Sequence, residues 1–127
     1  MMKIPVSNTN APVWRDITVK SELPARLKPL DELAKNLWWV WNSEAKTLFR
    51  NLNPDLWRKT GENPVMLLQQ LTSDRIAEIL ADSDLMAEIN RVYADFKEYM
   101  SKPMRKDIPS VSYFSMEYGL CNCLQIY

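Results

Sequence analysis

Pro29-Leu30-Asp31-Glu32-Leu33-Ala34-Lys35-Asn36-Leu37-Trp38-Trp39-Val40-Trp41-Asn42 decides the fold class of this chain. Leu30, Leu33, Ala34, Leu37, Trp38 and Trp41 recur at the three- and four-residue spacing of one helical face. Pro29 suits a first helical turn, where its missing N–H is not needed, and Asp31 and Glu32 favour the positive end of a helix. The spacing predicts a single helix over 29–42 with that stripe against a core. At ~100° per residue Trp39 falls about 180° from Leu30, on the opposite side. Either another element covers that side or Trp39 is an exposed contact.

Working outward, each following segment opens on a capping residue. Asn42-Ser43 caps a helix with Ala45, Leu48, Phe49 and Leu52 on one face. Asn53-Pro54 and Asn63-Pro64 repeat one device, Asn as N-cap and Pro at the first helical position. They open two short helices, one carrying Leu56 and Trp57, the other Val65, Leu68 and Leu71. Gly61 suits a left-handed stop for the first. Thr72-Ser73 caps a helix with Ile76, Ile79 and Leu80. Asp82-Ser83 opens the longest one, to about Ser101, with the stripe Leu85, Met86, Ile89, Val92, Tyr93, Phe96 and Met100. The reading is mainly α: a loose N-terminus over 1–12, then a multi-helix bundle over 13–102. Trp14, Ile17 and Val19 admit a short edge strand on it.

Pro103 ends the last helix, and residues 103–110 read as a linker. Val111-Ser112-Tyr113-Phe114-Ser115-Met116-Glu117-Tyr118 is then rich in β-branched and aromatic residues and reads as a strand closed by Gly119. A lone strand leaves a ladder of backbone groups unpaired. The sequence given also stops on the apolar Leu124-Gln125-Ile126-Tyr127. These features lead to the expectation that 111–127 are the incomplete start of an α/β domain.

Composition narrows the chemistry. The 127 residues include no histidine and two glycines, Gly61 and Gly119. That excludes a Ser-His-Asp or Cys-His relay and any His-ligated metal in this chain. It also excludes a P-loop and a dinucleotide-binding glycine loop. Charge is balanced, 16 basic against 16 acidic residues, without the basic excess of a nucleic-acid module. Cys121 and Cys123 are too close in sequence for an easy disulfide and too few for a zinc site. Two free thiols make the cytoplasm the default compartment. No signal peptide is read in the N-terminus, and the densest apolar run, Leu37 to Trp41, is far short of the ~20 residues a membrane span needs.

Three stretches resemble bacterial and archaeal α-glucan phosphorylases. Leu33 to Asn42 resembles the family's ELAxNLWWSWN signature, and Leu56-Trp57 with Thr60-Gly61-Glu62-Asn63-Pro64-Val65 its LW…TGxNPV segment. Tyr113 to Leu120 resembles the YFSMEYGL segment that begins the family's catalytic fold. The likeness runs from about residue 16 to 127. It implies the N-terminal region of an enzyme that uses pyridoxal phosphate and inorganic phosphate to split terminal α-1,4 bonds of glycogen, starch or maltodextrin, releasing glucose 1-phosphate. The family's glycine-rich phosphate loop and cofactor lysine lie beyond the segments matched here. The fragment alone is therefore expected to be inactive, without catalytic residues, cofactor or metal.

By the same resemblance Glu117 is a substrate-binding candidate in the full-length enzyme, where its carboxylate would hydrogen-bond sugar hydroxyls. The alternative is a solvated or salt-bridged carboxylate near a strand end. Trp39, Tyr113 and Tyr118 are interface candidates, against the remainder of the catalytic domain or a second subunit; for Tyr113, Phe114 and Tyr118, stacking on sugar rings and a place in the core are the other readings. For Trp39 a neighbouring helix, the catalytic body and a glucan all stay open. Beside the phosphorylase reading stand a helical scaffolding module, with a homodimer left open, and a glucan-binding domain.

Overall fold

The computed structural model describes residues 22–109, 111–114 and 120–123. The loose terminus over 1–12 and the short strand at Trp14–Val19 lie outside them. A 3-10 turn, Ala25–Leu27, leads into α1 (Lys28–Ala34), α2 (Trp38–Trp41), α3 (Ser43–Leu52), α4 (Pro54–Lys59), α5 (Pro64–Gln70), α6 (Ser73–Ala81) and α7 (Ser83–Ser101). Helix α7 is the spine of the bundle, with α1, α3 and α6 packed along it. Helix α5 lies against α1 and α4, and α2 against α3.

The helix starts follow from side-chain chemistry. The Asn42 carbonyl oxygen accepts the Ala45 N–H, and Asn53 accepts the Leu56 N–H. Asn63 accepts from both Val65 and Met66, Thr72 from Arg75, and Asp82 from Asp84 and Leu85. Each cap satisfies N–H groups that have no partner inside the helix. Helix α4 ends as sharply. Gly61 adopts φ +64°, the Gly61 N–H donates to Arg58 O (3.1 Å) and the Glu62 N–H to Trp57 O (2.9 Å). This is the paired closure of a Schellman motif, and it turns the chain from α4 into the Asn63 cap. The buried Thr60 hydroxyl donates to Leu56 O at 2.9 Å.

The expected single helix over 29–42 is instead two. Helix α1 stops at Ala34, the Asn36 N–H reaches back to Leu33 O, and the Val40 N–H to Leu37 O. These i→i−3 bonds wind the chain more tightly than an α-helix. The Asn36 side chain holds the corner by accepting the Trp38 N–H at 2.9 Å. The corner re-aims every side chain after it. Trp39, off the predicted stripe, is 3% exposed, whereas Trp41, on that stripe, is 62% exposed. Leu37 is also exposed rather than buried.

On α3 the predicted face is the buried one, Ala45, Leu48, Phe49 and Leu52, and on α7 Leu85, Met86, Ile89, Val92 and Phe96 are buried as predicted, whereas Val65, Ile76 and Leu80 are only partly buried and the unpredicted Leu67 of α5 is fully buried. The α7 stripe ends one turn early. Met100 and Tyr99 are exposed, and the contacts that reach this last turn come from beyond α1: the Asn36 side chain, whose Nδ2 touches Met100 Sδ at 3.8 Å, and the Trp38 ring, 6.3 Å from that of Tyr99. Beyond Ser101 the residues through Pro109 are exposed and without regular structure. The strand expected over 111–118 is not formed at 111–114, the part of it that lies within the described residues. Among the described residues there is no strand beside 111–114 for its backbone to pair with.

Candidate functional site

Trp39 is part of the core. Its ring meets Phe49 of α3 and Trp57 of α4 edge-on, each with centroids 6.1 Å apart, and Phe49 and Trp57 stack on one another at 6.1 Å. Of the alternatives for Trp39, the neighbouring helix is the one realised. Trp38 faces the other way, 5.5 Å from Phe96 and 6.3 Å from Tyr99 of α7. Tyr113 and Phe114 are almost wholly exposed. Glu117 and Tyr118 lie outside the described residues.

The residues that gather at one surface are others. Leu37, which precedes α2, and Trp41, its last residue, stand one helical turn apart and are both exposed. Trp38 and Asn36, beside them, touch Tyr99 and Met100, which are exposed in turn. Leu37 and Trp41 beyond the α1–α2 corner, and Tyr99 and Met100 at the C-terminal end of α7, are thus exposed apolar residues connected through Trp38 and Asn36. The chain leaves α7 at this same end, and Met104, Ile108, Val111, Tyr113 and Phe114 continue the exposed apolar character along it. Periodicity alone could not reveal this exposure, because it assigned Leu37, Trp41 and Met100 to the core. The signal was Asn36, a capping residue in mid-pattern.

Polar contacts also join α1 to α7. The Tyr93 hydroxyl of α7 donates to Glu32 Oε2 of α1, and Lys97 Nζ donates to Glu32 Oε1 at 3.0 Å. The Tyr93 contact, then Lys97, hold the Glu32 carboxyl below its usual 4.5, while Glu32 holds Tyr93 above its usual 10. The sign follows. Glu32 contributes stability that is full above about pH 4.5 and is lost as pH falls through its depressed value. Tyr93 contributes stability that is full below about pH 10 and is lost as pH rises through its raised one. Wild type should therefore exceed Tyr93→Phe in urea resistance at neutral pH, and the gap should shrink at about pH 3. A gap equal at both pH values would show that the contact does not titrate.

Two further contacts were not visible in the sequence. Arg75 Nε of α6 donates to Leu52 O at 2.7 Å, so a cation closes the negative end of α3. Arg91 Nη1 of α7 pairs with Glu44 of α3 at 2.6 Å. Among the described residues no group of three or more Cys, Asp or Glu side chains could hold a metal ion. None of the described helices is long and apolar enough to cross a membrane.

The family described as "Protein of unknown function (DUF3417)" matches residues 23–124. The chain is 32% identical over 125 residues to a glycogen phosphorylase of Mycobacterium tuberculosis, covering 89% of this chain and 14% of that protein. It is 39% identical over 99 residues to a glycogen phosphorylase of Aquifex aeolicus, covering 76% of this chain and 14% of that one. A maltodextrin phosphorylase of Thermococcus litoralis is 35% identical over 116 residues, 86% of this chain and 14% of the relative. The chain thus spans about one seventh of the length of the curated relatives it matches. No significant match is found among solved structures.

Proposed function

The chain belongs to the DUF3417 family, the N-terminal domain of glycogen and maltodextrin phosphorylases, and from that premise we propose that it docks as a helical module on the body of a phosphorylase acting on α-1,4-glucan and inorganic phosphate. The observation that carries the docking role is the exposure of Leu37, Trp41, Tyr99 and Met100 at the end where the chain leaves α7. A surface tryptophan flanked by apolar residues has the character of an interface anchor. Its place beside the outgoing segment raises the effective concentration of whatever follows in the same polypeptide.

In this reading the phosphorolytic chemistry lies outside these residues. Pyridoxal phosphate belongs to it as the cofactor of the longer enzyme, but the residues described here do not fit that group. A Schiff-base lysine works when desolvated, and every described lysine other than half-buried Lys46 is exposed. Lys35, Lys97 and Lys102 are paired with Asp31, Glu32 and Glu98. Gly61 and Gly119 are too far apart in sequence to build a phosphate-cradling loop. A cytoplasmic setting goes with the reading, on the strength of the two free thiols.

The test is binding of this chain to the Aquifex aeolicus relative stripped of the segment the two share. Wild type should bind, and Trp41→Glu should weaken binding about 30-fold, the loss of one anchor residue. Failure to bind, or binding that Trp41→Glu leaves unchanged, overturns the docking role. Maltodextrin and phosphate supplied to the chain alone should yield no glucose 1-phosphate. Maltoheptaose should leave its tryptophan fluorescence unchanged; a saturable change would favour the glucan-binding alternative. A stable dimer dissociated by Trp41→Glu would assign the same surface to a second copy.

A further inference from the structure

The segment 120–123 returns to the bundle. Leu120, Cys121 and Cys123 are half-buried against the core, and Asn122 Nδ2 donates to Glu62 Oε2 at 2.8 Å. Glu62 sits in the turn between α4 and α5 with φ +62°, so this contact seats the segment on that turn. The seat brings the two sulfur atoms together, with Cys121 Sγ 2.6 Å from Cys123 Sγ. The sequence holds no other cysteine that could compete for either.

We propose that Cys121 and Cys123 form a reversible thiol–disulfide site, closed into an intramolecular bond by small disulfide oxidants. Closing this bond requires both sulfurs in contact, and the Asn122–Glu62 seat supplies that contact before any reaction. The spacing of a single residue disfavours the Cα separations that disulfides prefer, so the bond carries strain and is readily reduced. The pair is accordingly a switchable site rather than a structural staple.

The order of events follows from the two environments. Burial, reinforced by the hydrogen bond with Cys121, pushes the Cys123 thiol up to about 12. Cys123 is therefore the poorer first nucleophile, and the first attack falls to Cys121. Cys121, as thiolate, attacks one sulfur of the oxidant; a protein–oxidant disulfide forms, the oxidant's S–S bond breaks, and one thiolate leaves with the proton Cys121 gave up. Cys123 then loses its proton and attacks Cys121 Sγ, expelling the second thiolate. In sum the protein gives up two electrons and two protons, and one oxidant disulfide becomes two thiols.

Oxidised glutathione is the probe. After equilibration with an excess of it and an acid quench, the native chain should have lost two hydrogens in mass. It should carry no glutathione and present no thiol to N-ethylmaleimide, and dithiothreitol should return both thiols. Cys123→Ser should accumulate a stable glutathione adduct on Cys121, while Cys121→Ser should react about tenfold more slowly. In concentrated urea, where the seat is gone, adducts should replace the ring. Glutathione on both cysteines of the native chain, a disulfide-linked dimer, or two alkylatable thiols after treatment would each overturn the proposal.

Discussion

Replacing Trp39 by alanine should cost about 3–5 kcal/mol of folding stability, the range for removing a large buried aromatic. Trp39 is the side chain shared by α2, α3 and α4, and its loss leaves Phe49 and Trp57 facing a cavity at the centre of that cluster. Domains of this size are stable by roughly 5–15 kcal/mol in total. The urea midpoint should therefore fall by about a fifth or more with an unchanged slope. Trp41→Ala, two residues on, should stay within about 0.5 kcal/mol of wild type. The comparison is sharp because a continuous helix predicts the reverse ranking. If Trp41→Ala is the more damaging variant, the corner at Asn36 is wrong.

The second large loss is expected at Phe96→Ala, again about 3–5 kcal/mol. Phe96 is 2% exposed in the middle of α7, with Trp38 at 5.5 Å and Tyr93 at 6.1 Å. Truncating it removes the Trp38 contact between α2 and α7 and opens the core beside the exposed Tyr99 and Met100. Met100→Ala, one turn further along the same stripe, should cost little, since Met100 is exposed. A double-mutant cycle on Trp38 and Phe96 should return about 0.5–1.5 kcal/mol of coupling for the ring pair. Additive losses would mean that the two rings share burial but no direct interaction.

The candidate site was less legible than the fold. The resemblance pointed to Glu117, which lies outside the described residues; of the interface candidates, Tyr118 also lies outside them, Tyr113 is exposed, and Trp39, singled out by helical spacing, is core. The exposed apolar residues are Leu37, Trp41 and Met100, which fit the helical stripes, and Tyr99. A stripe records which residues could share a face. It does not record which elements cover that face, and at the last turn of α7 Met100 stays exposed. The Glu32–Tyr93 and Arg75–Leu52 contacts were invisible for a related reason: they join residues far apart in sequence, with no local pattern between them.

What the sequence by itself determined is the helical class, the position of nearly every helix start, and the stop at Gly61. Asn42, Asn53, Asn63, Thr72 and Asp82 act on N–H groups two or three residues away, so their effect is written locally and can be read locally. The apolar faces of α3 and most of α7 were equally plain, because each helix runs unbroken over its own period. Only the tertiary structure decided the fate of the three tryptophans at 38, 39 and 41. The break and tighter winding around Asn36, together with packing of α1 on α7 and of α2 on α3, send Trp39 into the core and Trp41 to the surface.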